Sequence, residues 1–211
     1  MTEITRMRDR IALIARSLFD RGLTPGSSGN ISARLSDGTL LVTPTGSSMG
    51  FLDPARISHM GADMTLISGD APTKEMPLHS AFYDTRGAGA VVHLHSTHAV
   101  AHSLLPDIDP DDALPPLTAY SVMRLGKVKL LPFMLPGDPE IGTAIRGLAG
   151  QRSAVLLAHH GPVVAGADLE AAVYAMEELE ETAKLAILTR GLNPNVLSAA
   201  QVAALLKRFP S

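Results

Sequence analysis

Residues 91–98 read Val-Val-His-Leu-His-Ser-Thr-His, and the prediction of the fold starts from this stretch. An apolar run leads directly into two histidines that are one residue apart. If residues 89–95 form a strand, its side chains alternate between two faces, so His93 and His95 point the same way. Two imidazoles side by side on a strand supply half of a metal site, because catalytic zinc takes three protein ligands and keeps one open position.

A second strand that bears histidines is predicted downstream. Residues 155–161 read Val-Leu-Leu-Ala-His-His-Gly. On a strand, His159 and His160 project to opposite faces, so only one of them can complete the site. The acidic candidate is Glu75, which comes just before a predicted helix. A carboxylate at this place is also favoured by the helix dipole alone, so its position does not by itself indicate metal binding.

Other histidines offer alternatives to this site. A lone His-x-His pair also fits two hydrogen-bonded surface histidines, and the second histidine strand favours the metal interpretation. His98 and His102 lie one helical turn apart and form a rival metal pair. We prefer the strand pair because the surrounding apolar residues should bury and fix its imidazoles. His79, one turn after Glu75, and His98 are then expected to support the metal ligands from outside.

Three short segments suit an anion such as phosphate. Gly29-Asn30 and Thr45-Gly46 each lie at the end of a predicted strand, where glycine allows close backbone approach and Asn and Thr can donate hydrogen bonds. Each of these two loops alone also fits ordinary turn chemistry. Thr73 and Lys74 precede a helix predicted to begin near Pro77, and free backbone N–H groups at a helix N-terminus attract anions.

The composition excludes several classes of function. The chain has 211 residues, a net charge of −3, 45% hydrophobic residues and no cysteine, so histidine has to carry any transition-metal chemistry. No basic run supports nucleic-acid binding. No apolar run reaches the ~18 residues of a membrane span, and the N-terminus does not run into a signal-peptide core. We therefore expect a soluble, cytoplasmic protein with no nucleic-acid or membrane partner.

The apolar pattern predicts an α/β fold in a single domain over residues 1–211, with a mostly antiparallel central β-sheet covered by helices. Strands are predicted at 31–35, 40–43, 64–68, 91–95, 127–131, 155–158 and 162–165. Helices are predicted at 4–20, 75–85, 97–105, 139–149, 169–190 and 199–208, with a short one after Asp53. Residues 106–116, rich in proline and aspartate, are expected to be irregular. The strand order does not follow from these patterns.

The order of motifs along the chain resembles the class II aldolase/adducin family. The resemblance is carried by Gly-Asn-Ile-Ser at 29–32, Thr-Pro-Thr-Gly at 43–46, Glu75, residues 91–98 and His-His-Gly-Pro at 159–162. It covers essentially the whole chain. It implies one Zn²⁺ or similar divalent ion per subunit, a small phosphorylated sugar or sugar-acid substrate, and a homotetramer with active sites between subunits.

The resemblance also implies roles for individual residues. The implied metal ligands are His93, His95 and His160, with Glu75 approaching the metal and acting as the catalytic acid/base. The implied phosphate contacts are Asn30, Thr45, Gly46, Thr73 and Lys74. Tyr120 is implied as a second catalytic residue. L-fuculose-phosphate aldolase has Ser-Ser-Glu where this chain has Thr-Lys-Glu at 73–75, so Lys74 adds a positive charge beside the phosphate.

Residues 114–124 and 136–138 look most like the 3-oxo-tetronate 4-phosphate decarboxylase branch of the family. We therefore expect decarboxylation of a 3-oxo-tetronate 4-phosphate to dihydroxyacetone phosphate and CO₂, through an enediolate that zinc stabilises and Glu75 protonates. The alternatives are a class II aldolase that cleaves a ketose 1-phosphate and a sugar-phosphate epimerase. A protein-binding module like adducin is the non-enzymatic alternative, and the complete set of metal residues favours an enzyme.

Overall fold

One eight-stranded sheet runs through residues 1–209, the part of the chain that this computed structural model describes. The strands are β1 (Asn30–Arg34), β2 (Leu40–Val42), β3 (Ser58–Met60), β4 (Leu66–Ser68), β5 (Ala90–His93), β6 (Lys129–Leu131), β7 (Ala154–Leu157) and β8 (Gly161–Gly166). Their order in the sheet is β4-β3-β2-β1-β5-β8-β7-β6. Neighbouring strands are antiparallel except for the parallel pair β6 and β7. The predicted α/β fold with a mostly antiparallel central sheet is confirmed.

Helices cover both faces of this sheet. They are α1 (Glu3–Asp20), α2 (Met76–Arg86), α3 (Thr97–Ser103), α4 (Ala119–Leu125), α5 (Pro139–Gly147), α6 (Leu169–Leu188) and α7 (Ala199–Arg208). Polar caps begin several of them, and the Asp168 carboxylate, for example, accepts the N–H of Ala171 at 2.7 Å. Within residues 1–209, no helix is both long and apolar enough to cross a membrane.

The core has two layers, because side chains on each strand alternate between the faces of the sheet. Val92 and Leu156 pack on the face that α1, α3 and α6 cover. Val91 and Val155 pack on the opposite face, against α2 and α5. Burial on both faces explains why the central strands read as continuous apolar runs rather than as an alternating pattern. The strands β1, β5 and β8 thus lie side by side in the buried centre of the sheet.

The structure corrects the predicted placement of three histidines. Strand β5 ends at His93, so His95 lies just beyond the strand rather than on it. His159 and His160 lie in the tight turn between β7 and β8, so the prediction that they sit on a strand is wrong, although His159 is exposed and only His160 is buried. The physical reason is that His159 adopts a left-handed backbone conformation with φ 61°, which reverses the chain.

The short helix predicted after Asp53 is present as a 3₁₀ helix, Pro54–Arg56. Three elements were not predicted: strand β3, helix α4 and a 3₁₀ helix, Met49–Phe51. Strand β3 reads Ser-His-Met, which lacks the alternation of apolar residues that marks a strand, although all three residues are buried. Helix α4 begins after Thr118, whose hydroxyl accepts the N–H of Ser121 at 3.0 Å. Strand β4 also begins two residues later than predicted, and Met64 has φ 65°, which is incompatible with a strand.

Candidate active site

The ends of three neighbouring central strands, β1, β5 and β8, lie side by side. We call this end of the three strands the edge of the sheet. Asn30, at the start of β1, pairs with His93, at the end of β5. On the other side of β5, His93 pairs with Val163 of β8, which begins at Gly161. Helix α2 begins near the same edge, with Glu75 as its N-cap residue. The side chain of Glu75 makes no capping hydrogen bond, so the carboxylate is free to face the histidines.

Three imidazoles and one carboxylate converge at this edge, and we call them the His–Glu cluster: Glu75, His93, His95 and His160. The Nε2 atom of His93 lies 3.2 Å from Nε2 of His95 and 3.3 Å from Nε2 of His160. The Glu75 carboxylate lies 3.3 Å from His93 and 3.2 Å from His160. In residues 1–209, no other group of three or more His, Cys, Asp or Glu side chains is arranged to hold a metal ion.

The spacing of the cluster fits a divalent metal. Zinc–nitrogen bonds of ~2.0–2.1 Å in a tetrahedron put neighbouring ligand atoms about 3.3–3.4 Å apart. The Nδ1–H of His93 donates to the carbonyl of Pro162 at 2.8 Å, which leaves the Nε2 lone pair facing the cluster. Such a backbone bond is how proteins fix the tautomer of a metal-binding histidine. Three imidazole nitrogens and a carboxylate are also the donor types that zinc binds.

The electrostatics of the cluster suit a cation. Burial lowers the pKa of His93 to about 3, so its imidazole is neutral at pH 7. Burial also lowers the pKa of His95, helped by the neighbouring His160. For Glu75, burial acts to raise the pKa, but the adjacent His160 and His93 imidazoles and a hydrogen bond from Asn30 outweigh it and hold the pKa below its usual range. Neutral imidazoles and an ionised carboxylate are the forms that bind a metal ion.

The remaining candidate histidines make other contacts. Nδ1 of His98 lies 2.8 Å from the carboxylate of Glu180 on α6. His102 donates from Nε2 to the carbonyl of Ala113 at 2.7 Å. The rival pair therefore serves the packing of α3 and is not part of a metal cluster. His159 is exposed to solvent, and His160 is the member of the pair that enters the cluster.

A cavity of about 240 Å³ opens beside the cluster. Glu75, His95 and His160 form part of its wall. All the predicted phosphate contacts line the same cavity: Asn30, Thr45, Gly46, Thr73 and Lys74. Of the described residues that line it, Lys74 is the one with a positively charged side chain. The structure thus joins the predicted anion loops and the predicted metal residues into one site.

Two further residues, Ser27 and Ser28, line the cavity that the sequence analysis did not single out. Ser27 and Ser28 lie in the small-residue loop just before Gly29, so their position beside the predicted phosphate loop was an available signal. Pro136 comes from the loop before α5. Its side chain carries no reactive group, so the resemblance of residues 136–138 to the decarboxylase branch was the signal that marked it.

Tyr120 lies away from the cavity of its own chain. It is on α4, 59% exposed, and lines a different cavity of about 510 Å³ together with Arg21, Arg124 and Tyr174. The predicted catalytic role of Tyr120 is therefore not fulfilled within one chain. A role at the site of a neighbouring subunit, as the resemblance implies, stays a prediction.

A mostly antiparallel sheet with a His–Glu cluster that could hold a metal ion agrees with the match of this chain to a known family. Residues 9–187 match the profile of the "Class II Aldolase and Adducin N-terminal domain". The chain therefore belongs to the class II aldolase and adducin family, and the expected membership is confirmed.

Three individual proteins are similar to this chain over most of its length. The 3-oxo-tetronate 4-phosphate decarboxylase of Cupriavidus necator is 49% identical over 186 residues, covering 88% of this chain and 85% of that protein. The crystal structure of Escherichia coli YgbL, a candidate aldolase/epimerase/decarboxylase, matches with a TM-score of 0.93 and 45% identity, covering 97% of this chain and 99% of that one. An L-fuculose phosphate aldolase of Escherichia coli (strain CFT073) is 32% identical over 208 residues, covering 93% and 94% of the two chains.

Proposed function

We propose that the chain is a metal-dependent carbon–carbon lyase that decarboxylates a 3-oxo-tetronate 4-phosphate to dihydroxyacetone phosphate and CO₂. The observation that carries the proposal is the His–Glu cluster beside a cavity whose other walls are the loops predicted to bind an anion. The 49% identity to the decarboxylase of Cupriavidus necator supports this reaction over others of the family.

The cluster would hold one Zn²⁺ or similar divalent ion through His93, His95 and His160, with Glu75 beside it. When bound, such an ion supplies Lewis acidity that stabilises negative charge on the ketone oxygen of a 3-oxo acid. The protein fixes the ligands in advance, since the sheet and the Pro162 carbonyl hold His93. Zinc is proposed because three imidazoles and one carboxylate match its ligand preferences.

Glu75 would return the proton. Loss of CO₂ from the substrate carboxylate leaves an electron pair on the neighbouring carbon, and one proton has to be added there to give dihydroxyacetone phosphate. Glu75 is ionised at rest because its pKa is held below the usual range. It therefore takes up one proton in each turnover and passes it to carbon, which matches the single proton that the reaction consumes.

The phosphate would lie between the loops that contain Thr45, Gly46, Thr73 and Lys74, with Asn30 at the inner end. Glycine at position 46 leaves the backbone accessible, and Lys74 adds a charge at the cavity wall. Binding energy from the phosphate then positions the reacting carbon, so substrates without phosphate should react with a much lower kcat/KM. Equal kcat/KM with and without the phosphate would argue against this assignment.

The test of the reaction is a product assay in D₂O with the purified protein and Zn²⁺. We expect CO₂ release from the oxo-acid phosphate and one deuterium on the hydroxymethyl carbon of the product. The second candidate is retro-aldol cleavage of a ketose 1-phosphate, favoured by the 32% identity to an L-fuculose phosphate aldolase. Aldehyde from the ketose phosphate, with no CO₂ from the oxo-acid phosphate, would overturn the decarboxylase proposal in favour of the aldolase.

The organisation of the whole protein is part of the proposal. Residues 1–211 would form one domain, and four copies would assemble with active sites between subunits. Exposed Tyr120 is consistent with a residue that meets a neighbouring chain. Light scattering should therefore give the mass of four chains, and a monomer would contradict it. The expected cytoplasmic location also stays a prediction.

A further inference from the structure

A continuous row of hydrogen bonds leads from Glu75 into the interior between α2 and β1. Asn30 Nδ2 lies 2.8 Å from Glu75 Oε2, and Asn30 Oδ1 lies 2.5 Å from His79 Nε2. His79 Nδ1 lies 2.7 Å from the Ser32 hydroxyl, which lies 2.7 Å from the Tyr83 hydroxyl. All five side chains are buried, and His79 is fully inaccessible to solvent. The metal chemistry proposed above does not use His79.

The chemistry of the groups fixes the direction of every bond in this row. An ionised carboxylate only accepts hydrogen bonds, so Asn30 has to turn its NH₂ group toward Glu75. The Asn30 carbonyl then faces His79, which has to carry its proton on Nε2. Because burial lowers the pKa of His79 to about 4, the ring is neutral and Nδ1 accepts from Ser32. Ser32 in turn accepts from Tyr83, so every donor points toward the carboxylate.

We propose that His79 is a positioning residue that locks the Asn30 amide with its NH₂ group toward Glu75 and so fixes the carboxylate beside the metal ligands. The inference rests on the proposed role of Glu75 and gives Asn30 a function besides the predicted phosphate contact. Without His79, the buried Asn30 amide loses the partner that holds its carbonyl. A rotated amide would place a carbonyl oxygen against the carboxylate and displace it.

The two hydrogen bonds of the imidazole explain why the residue at position 79 is a histidine. Its ring spans from Asn30 on one side to Ser32 on the other, and both partners belong to β1. Tyr83 ends the row, and the Arg34 guanidinium lies 4.7 Å from the centre of its ring. A buried polar group without a partner costs free energy, so each member depends on the next. The row thus links the helix that carries Glu75 to the central sheet.

Two substitutions at one position separate positioning from simple packing. His79→Gln keeps an N–H that can reach the Asn30 carbonyl, whereas His79→Leu fills the space without a donor. Co²⁺ serves here as the test ion for the metal site. We expect His79→Leu to lower kcat by about 10–100-fold and the affinity for Co²⁺ by about tenfold, which is the range seen for residues that support metal ligands. The KM should change by less than about threefold. His79→Gln should stay within about threefold of the parent for all three quantities.

The matched control is Phe82→Leu, a buried residue of the same helix whose side chain packs in the apolar core. It should lower stability without changing kcat or Co²⁺ affinity. Competition of Co²⁺ with a chelator needs no substrate, so it decides the inference even if the decarboxylase proposal fails. Equal Co²⁺ affinities for His79→Leu and His79→Gln would overturn the inference.

A measurement on the unaltered protein covers the case in which His79→Leu does not fold. In the metal-free protein labelled with ¹⁵N-histidine, we expect NMR at pH 7 to show His79 with its proton on Nε2. A proton on Nδ1, or on both nitrogens, would reverse or break the row and overturn the inference.

Discussion

At the scale of single residues, Glu75 is held differently at its two oxygens. Oε2 accepts from Asn30 at 2.8 Å and lies 3.3 Å from His93, while Oε1 lies 3.2 Å from His160. The carboxylate is therefore oriented from two sides before any substrate binds. Orientation of this kind is what general acid–base catalysis requires, because the proton has to move along a defined line.

Glu75→Gln should abolish most of the turnover while keeping the fold. The amide has nearly the same volume but cannot take up a proton and pass it to carbon, so kcat should fall by about 10²–10⁴-fold. CO₂ release and deuterium incorporation in D₂O measure the loss, and metal analysis should show that zinc is retained. Glu140→Gln makes the same change in the first turn of α5, at an exposed position, and should have no effect. Full activity of Glu75→Gln would show that another group transfers the proton.

The buried imidazole of His79 also makes the stability of the metal-free protein depend on pH. Its pKa is about 4 in the folded chain and about 6.5 when unfolded, so the unfolded state binds more protons between these values. The stability contributed by the neutral ring is fully present above pH 6.5 and is lost as the pH falls toward 4. From pH 7.5 to pH 5 the loss is about 2 kcal/mol.

Urea denaturation with a chelator present, at pH 7.5 and at pH 5, measures this loss. The His79→Gln protein should lose about 2 kcal/mol less than the parent over the same interval, because glutamine does not titrate. The same slope in both proteins would mean that other groups, such as His93, carry the acid sensitivity.

At the scale of elements, the turn between β7 and β8 delivers the third histidine. Gly161 follows His160 with φ 147°, and a Cβ placed there would lie 2.2 Å from the carbonyl oxygen of Leu94. Only a residue without a side chain lets the turn approach the segment that leads from His93 to His95. The close approach of two backbones thus sets the distance between the two halves of the cluster.

Gly161→Ala should therefore push the turn away from β5. We expect a loss of stability of about 1–3 kcal/mol, as for other overpacked sites, together with weaker metal binding. Gly147→Ala is the matched control, because nothing lies within 4 Å of the added Cβ at the end of α5. It should leave Co²⁺ affinity unchanged and be neutral or slightly stabilising. Unchanged Co²⁺ affinity in Gly161→Ala would contradict the role of this close approach.

Much of the structure around the His–Glu cluster could be predicted from sequence patterns. The apolar run that leads into His93 identified β5, and the residues around Pro77 identified the start of α2 with Glu75 in front of it. The turn that contains His160 did not follow, because the apolar run of β7 continues into it without a break. A left-handed conformation at His159 leaves no mark in the hydrophobic pattern. The row of hydrogen bonds through His79 could not be predicted from the sequence either, because it depends on how helix α2 is aligned with strand β1.

At the scale of the whole molecule, the cluster ties together segments that are far apart in sequence. Its residues come from positions 75, 93, 95 and 160. A ligand that binds the folded state and not the unfolded chain stabilises the fold by mass action. A metal ion at this place therefore links the helix α2 and the strands β5 and β8.

Zn²⁺ should consequently raise the melting temperature of the protein. At a concentration about 100 times the Kd, the gain is about 2.7 kcal/mol in unfolding free energy. The His93→Ala, His95→Ala double variant should show no such gain and no bound metal in elemental analysis. An equal rise in melting temperature in both proteins, or undiminished metal content in the double variant, would refute the assignment of the ligands.

The strand order has a consequence for how the protein matures in the cell. Strand β5 pairs with β1 on one side and with β8 on the other, so the last strand of the site is made some 70 residues after the first histidine pair. Because domains begin to fold during synthesis, a nascent chain carries His93 and His95 long before His160 has left the ribosome. Tight binding of the proposed metal ion would have to wait for the turn before β8 to take its place, so acquisition of the ion would be a late event that follows completion of the sheet.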